Sequence, residues 1–149
     1  MALREDWFEA ERLHRAARDG ALSEISRLAS EGFNIDAFDD LSRTPLHYAV
    51  EDGRYQAAEL LIELGADVNS HGEEMIGETP LSLAVQGDYS EMVELLLKHG
   101  ANPDIQGWMG LTARIRASRR VDNIGRDIAK IIESFGSRPR ADGGKKLAT

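Results

Sequence analysis

Cysteine is absent from this chain. That excludes a disulfide framework, a thiol nucleophile and a cysteine-ligated zinc. Long apolar runs are absent too, since none approaches the roughly 18 residues that a membrane-spanning helix needs. The opening MALREDWFEAERLHRAARDG carries acids throughout and lacks the charged-then-apolar order of a signal peptide. A reduced, cytoplasmic setting without a membrane partner is therefore expected. There is no H-E-x-x-H, no glycine-rich phosphate loop and no nucleophile elbow. His71 stands beside Glu73 and Glu74, but two ligands do not make a zinc site. The residues predict no enzyme, no cofactor and no metal, with a metal or enzyme site at His71 as the least favoured alternative.

What is present is a repeat. In Thr44 to Asn69, Thr44 supplies a capping hydroxyl and Pro45 takes the first helical position, where its missing N–H is harmless. Leu46, Ala49 and Val50 share one helical face. Glu51, Asp52 and Gly53 make a turn, Ala57, Ala58, Leu60, Leu61 and Ile62 give a second apolar face, and Gly65 stops it. TPLHYA at Thr44 returns as TPLSLA at Thr79, 35 residues on. Leu13-His14-Arg15-Ala16 precedes Leu46-His47-Tyr48-Ala49 by 33, and Gly32-Phe33-Asn34-Ile35-Asp36 precedes Gly65 onward by 33. Gly110-Leu111-Thr112-Ala113 is a worn copy of Gly77-Glu78-Thr79-Pro80. Neither helix of such a unit can bury its stripe alone, so the units must stack.

On these motifs the chain resembles ankyrin-repeat proteins over residues 11–136, most of its length. The resemblance implies an all-α solenoid of stacked antiparallel helix pairs with hairpin-like fingers projecting to one side. It also implies a protein partner, bound by the fingers and the first helix of each pair. Its histidines at the T-P-L-H position, here His14 and His47, hydrogen-bond neighbouring fingers. The units fall at about 6–38, 39–73, 74–106 and 107–136, the first and last being degenerate caps, and the basic segment 137–149 is expected to be disordered. In the first cap, Asp6 is expected to start a helix at Trp7 that runs through to Gly20, with Trp7 and Phe8 covering the open end of the stack or, as the alternative, exposed beside the binding face.

The fingers supply the candidate partner-binding residues. The first presents Asp39, Asp40 and Leu41 with Arg43 behind, and Glu51 and Asp52 end the helix that follows. The second spans 14 positions from Gly65 to Thr79 against 12 from Gly32 to Thr44, so it should protrude, with Met75 and Ile76 near its tip. The third carries Trp108 and Met109 between glycines, and tryptophan is a frequent interface anchor. Glu78, Gln86, Arg119 and Arg120 complete the candidate set. Gly87-Asp88 places the usual turn glycine one position early.

Charge suggests the partner's character. The net charge is −8, and Arg138, Arg140, Lys145 and Lys146 against Asp142 leave the rest of the chain at −11. Phosphate backbones need Lys and Arg, so nucleic acid is not expected. An acidic concave face would instead suit a basic protein and salt-sensitive association. The favoured reading is a protein-binding module, monomeric when free. Small size and acidity give it a loose similarity to bacterial immunity proteins that block a toxin. The alternative is a regulatory or scaffold subunit that recruits an enzyme or transcription factor.

Overall fold

The computed structural model describes residues 8–72 and 77–137. Trp7, Met75, Ile76 and the basic segment from Arg138 onward lie outside them. The described chain forms four helix hairpins: α1 (Arg12–Asp19) with α2 (Leu22–Ser30), α3 (Pro45–Glu51) with α4 (Tyr55–Glu63), α5 (Pro80–Gln86) with α6 (Ser90–Lys98), and α7 (Ala113–Arg119) with α8 (Asn123–Ser137). The first helices pack in the row α1–α3–α5–α7, while α2 packs on α4 and α6 on α8. The chain is an all-α solenoid of stacked helix hairpins, with no strand among the described residues.

Sequence dictates the helix starts. Thr44, Thr79 and Thr112 sit in extended backbone, and each hydroxyl accepts an amide three residues on, from His47, Ser82 and Ile115. Each such cap contributes about 1 kcal/mol. Ala16, Ala49, Ala84 and Ala117 let the first helices approach closely, and Leu13, Leu46 and Leu81 fill the seam. Ile25, Leu28, Ala57, Leu61, Met92, Leu96, Ile128 and Ile132 cover it from the second helices. Gly32, Gly65 and Gly100 close α2, α4 and α6 at φ of 97°, 104° and 95°, a left-handed turn that favours glycine.

Polar bonds fix the spacing of the units. His14 and His47 reach carbonyls of the following fingers, Nε2 lying 2.7 Å from the Ala37 and Glu78 oxygens. Asp36 accepts the Asp67 amide at 2.9 Å and Asn69 accepts the Asn102 amide at 2.7 Å. At the same place in the last finger, Asp104 takes a two-pronged bond from Arg114 (2.8 and 3.1 Å).

Two expectations change. The helix predicted from Trp7 to Gly20 is broken at Glu11 (φ −100°, ψ 15°), which makes no side-chain cap. Phe8, before the break, is exposed rather than a full cover for the stack, with the Arg15 guanidinium 3.8 Å above its ring. The early glycine, Gly87, also has a physical reason. Gly20 and Gly53 end their helices at φ 70°, whereas Gly87 is extended at φ −94°. Arg120 from the next unit therefore caps α5, donating to the Val85 and Gly87 carbonyls at 2.9 and 2.6 Å. Its other donors go to Asp88 and Asp122, so all five N–H groups are engaged.

This cap leads to a test in α8. Alanine normally stabilises a helix interior by about 1 kcal/mol over glycine. A Cβ on Gly125, however, would lie 2.2 Å from the Arg120 side chain and 2.8 Å from Asp122 Oδ1. Gly125→Ala is expected to lower the urea midpoint, with a net loss of about 1–3 kcal/mol from the forced shift.

Candidate protein-binding groove

The fingers and first helices meet along a groove, and the tips are built before they are displayed. In the first tip the Asp39 amide donates to the Arg43 carbonyl at 2.9 Å, and Ser42 takes a left-handed φ of 60°. Asp39 Oδ1 accepts the Leu41 and Arg43 amides at 2.9 and 3.0 Å, while Oδ2 accepts the Tyr48 hydroxyl. Burial opposes ionisation of Asp39, but the Tyr48 hydroxyl and the two amides outweigh it and hold its pKa below the ordinary value. Burial and the Asp39 carboxylate push the Tyr48 phenol up to about 12. Arg43 then forks onto Glu51 (2.6 and 3.1 Å) and lies over the Tyr48 ring. That fork lowers the Glu51 pKa.

The third tip repeats the hairpin without its aspartate. Gly107 donates to the Leu111 carbonyl at 2.8 Å, but glycine stands where Asp39 stands in the first finger. A carboxylate arrives from the preceding finger instead. Glu78 Oε2 accepts the Trp108 amide at 3.3 Å and an Arg116 Nη2 proton at 2.8 Å, and Oε1 accepts the Ser82 hydroxyl at 2.5 Å. A Cβ on Gly107 would lie 3.2 Å from that carboxylate, so the small residue makes its approach possible. Glu78 thus joins two fingers and the α7 helix, and its side chain is a structural brace.

Between these parts runs an open groove of about 550 Å³, lined among others by Leu41, Arg43, Glu51, Glu78, Gln86 and Trp108. It continues into a second section of about 640 Å³ that contains Arg119 and Arg120 and shares Gln86 and Arg116 with the first. Eight candidate residues are thereby brought onto one face. Asp39, Asp40, Asp52 and Met109 do not line it, although Asp40, Asp52 and Met109 are exposed. Leu41, Trp108 and Met109 remain 69%, 58% and 72% exposed, large apolar surface with no place in the core.

The expected acidity of this face is corrected among the described residues. Its carboxylates Glu51, Glu78 and Asp122 are each bonded to an arginine, Arg43, Arg116 and Arg120 respectively. The acidic surplus of the chain therefore lies outside the groove lining, within which these carboxylates are locally balanced. Arg120 and Asp39 are likewise committed to internal bonds. The groove also includes Leu83, Arg116 and Val121, which were not among the candidates. Leu83 and Arg116 follow the Ser82 and Ile115 positions just as Tyr48 follows His47, so aligning TPLHYA, TPLSLA and TARIRA gives Leu83 and Arg116 one shared position of the repeat. Val121, in the irregular link to α8, has no such periodic signal.

Among the described residues His71 lies against the Asn69 carbonyl, with Nδ1 at 2.9 Å. Among the described residues no three metal-ligating side chains gather. Glu73 and Glu74 lie outside them.

A family profile described as ankyrin repeats in three copies matches residues 4–72, and a single ankyrin-repeat profile matches 76–108. An acyl-CoA-binding domain-containing protein 4 of Oryza sativa subsp. japonica is 37% identical over 49 residues, 33% of this chain and 15% of that protein. An acyl-CoA-binding domain-containing protein 2 of Arabidopsis thaliana is 35% identical over 63 residues, 42% of this chain and 18% of that protein. An ankyrin repeat protein of Acanthamoeba polyphaga mimivirus is 43% identical over 49 residues, 33% of this chain and 7% of that protein. The chain spans less than a fifth of the length of these curated relatives.

Proposed function

Because the chain belongs to the ankyrin-repeat family, we propose that it is a non-catalytic module that binds a protein along the groove between finger tips and first helices. Members of this family generally bind proteins. The observation that carries the site is the exposed pair Leu41 and Trp108 on opposite tips of one continuous groove, each held on a hydrogen-bonded hairpin. Rigid apolar anchors on a preformed surface reduce the ordering cost of binding.

The acidic body favours approach by a protein of positive net charge, because long-range steering follows the whole charge distribution. The working location is the cytoplasm and the free protein is a monomer. The plant and viral relatives lend no support to a toxin-immunity role. An inhibited partner would lose its activity on binding, whereas a recruited one would keep it.

Affinity capture from native cell extract, with wild type beside a Leu41→Ala, Trp108→Ala double variant, tests the reading. The variant should lose the partner by about tenfold or more in affinity, with stability within about 0.5 kcal/mol of wild type. Equal capture by both proteins would remove the groove as the site.

A further inference from the structure

We propose that the segment entering the groove places a carboxylate at its α7 end, between Arg116 and Arg119, with an apolar side chain beside it against Trp108. The inference rests on the groove being the docking face and adds the chemistry of what docks. The four arginines that line the groove differ in how many donors they have used among the described residues. Arg120 has engaged all five, and Arg43 forks onto Glu51. Among the described residues Arg116 makes one bond, to Glu78, and its buried Nε–H has no acceptor. Arg119 is exposed and enters no ion pair among the described residues.

Arg116 and Arg119 are three apart on α7, so they stand on one helical face, and both line the same section of groove. Among the described residues every carboxylate lining the groove already has its arginine, so the unsatisfied charge in this section is positive. A guanidinium matches a carboxylate in a planar, two-bond geometry, which gives direction as well as attraction. Trp108 lies across the shared wall formed by Gln86 and Arg116, which sets the apolar position next to the acidic one. An acidic residue in the docked segment is compatible with a partner of positive net charge, since steering and contact act at different ranges.

The test is a phage-displayed library of random peptides panned against the full chain, with an enriched peptide then titrated by calorimetry. Enriched peptides should carry Asp or Glu beside an aromatic or aliphatic residue. Binding should fall about tenfold in Arg119→Glu, and return when the peptide's acid is changed to lysine. A Glu94→Lys variant on the exposed side of α6 should leave affinity unchanged. Peptides sensitive to Trp108→Ala but indifferent to Arg119→Glu would overturn the carboxylate while keeping the groove. Peptides indifferent to both, or no enrichment over a Trp108→Ala, Arg119→Glu variant, would overturn the inference together with the docking face.

Discussion

Between pH 6.5 and 4 the fold is expected to lose about 3 kcal/mol of stability through one side chain, His47. Its ring is enclosed between the Thr44 cap and the neighbouring finger. Nδ1 accepts the Thr44 amide at 3.0 Å, and Nε2–H donates to the Glu78 carbonyl at 2.7 Å, so both nitrogens are used by the neutral form. Burial pushes the pKa down from 6.5 to about 4, against the smaller opposing effect of the Glu78 carbonyl. The unfolded chain therefore takes up a proton near pH 6.5 that the folded chain refuses until about pH 4. Stability from this source is intact above 6.5, declines through the interval and is flat below 4. Urea unfolding of wild type and His47→Gln at neutral and acid pH isolates the effect from carboxylates common to both. The variant should be less stable at pH 7 but lose less on acidification. Equal losses in the two proteins would show that His47 takes up its proton without unfolding.

Glu78→Ala is expected to cost about 2–3 kcal/mol, far more than a surface acid removed at random. The substitution strips Arg116 of its charge partner at a site where both side chains are about four-fifths buried (19% and 20% exposed). It also leaves the Ser82 hydroxyl and the Trp108 amide without their acceptor. Glu78→Gln should recover about half of the loss, because an amide oxygen can still accept while the charge is gone. Chemical denaturation of both variants measures this. A cost below about 0.5 kcal/mol for the alanine would mean that water replaces the carboxylate and that the third tip is self-supporting.

Period and caps made the helix hairpins legible in the sequence. Thr44, Thr79 and Thr112 announce helix starts through local chemistry, and Gly65 and Gly100 announce stops. The family's histidine position correctly led from His47 to the next finger. Bonds made between units were not legible in the same way. Glu78 reads as an exposed finger acid until Gly107, 29 positions later, is seen to make room for it. Arg120 reads as one of two basic residues ending a helix, yet it supplies the cap that Gly87 does not. The acidic face was inferred from a sum of charges, and a sum carries no information about which carboxylate meets which arginine.

Hydrogen exchange of the isolated partner complex against the free chain tests the central claim most directly. New protection should appear at the first and third finger tips around Leu41 and Trp108, along α5 near Gln86, and at the α7 end near Arg119. The second helices α2, α4 and α6 should exchange as before. Protection concentrated on those second helices, with the tips unchanged, would contradict the account and move the interface to the opposite side of the stack.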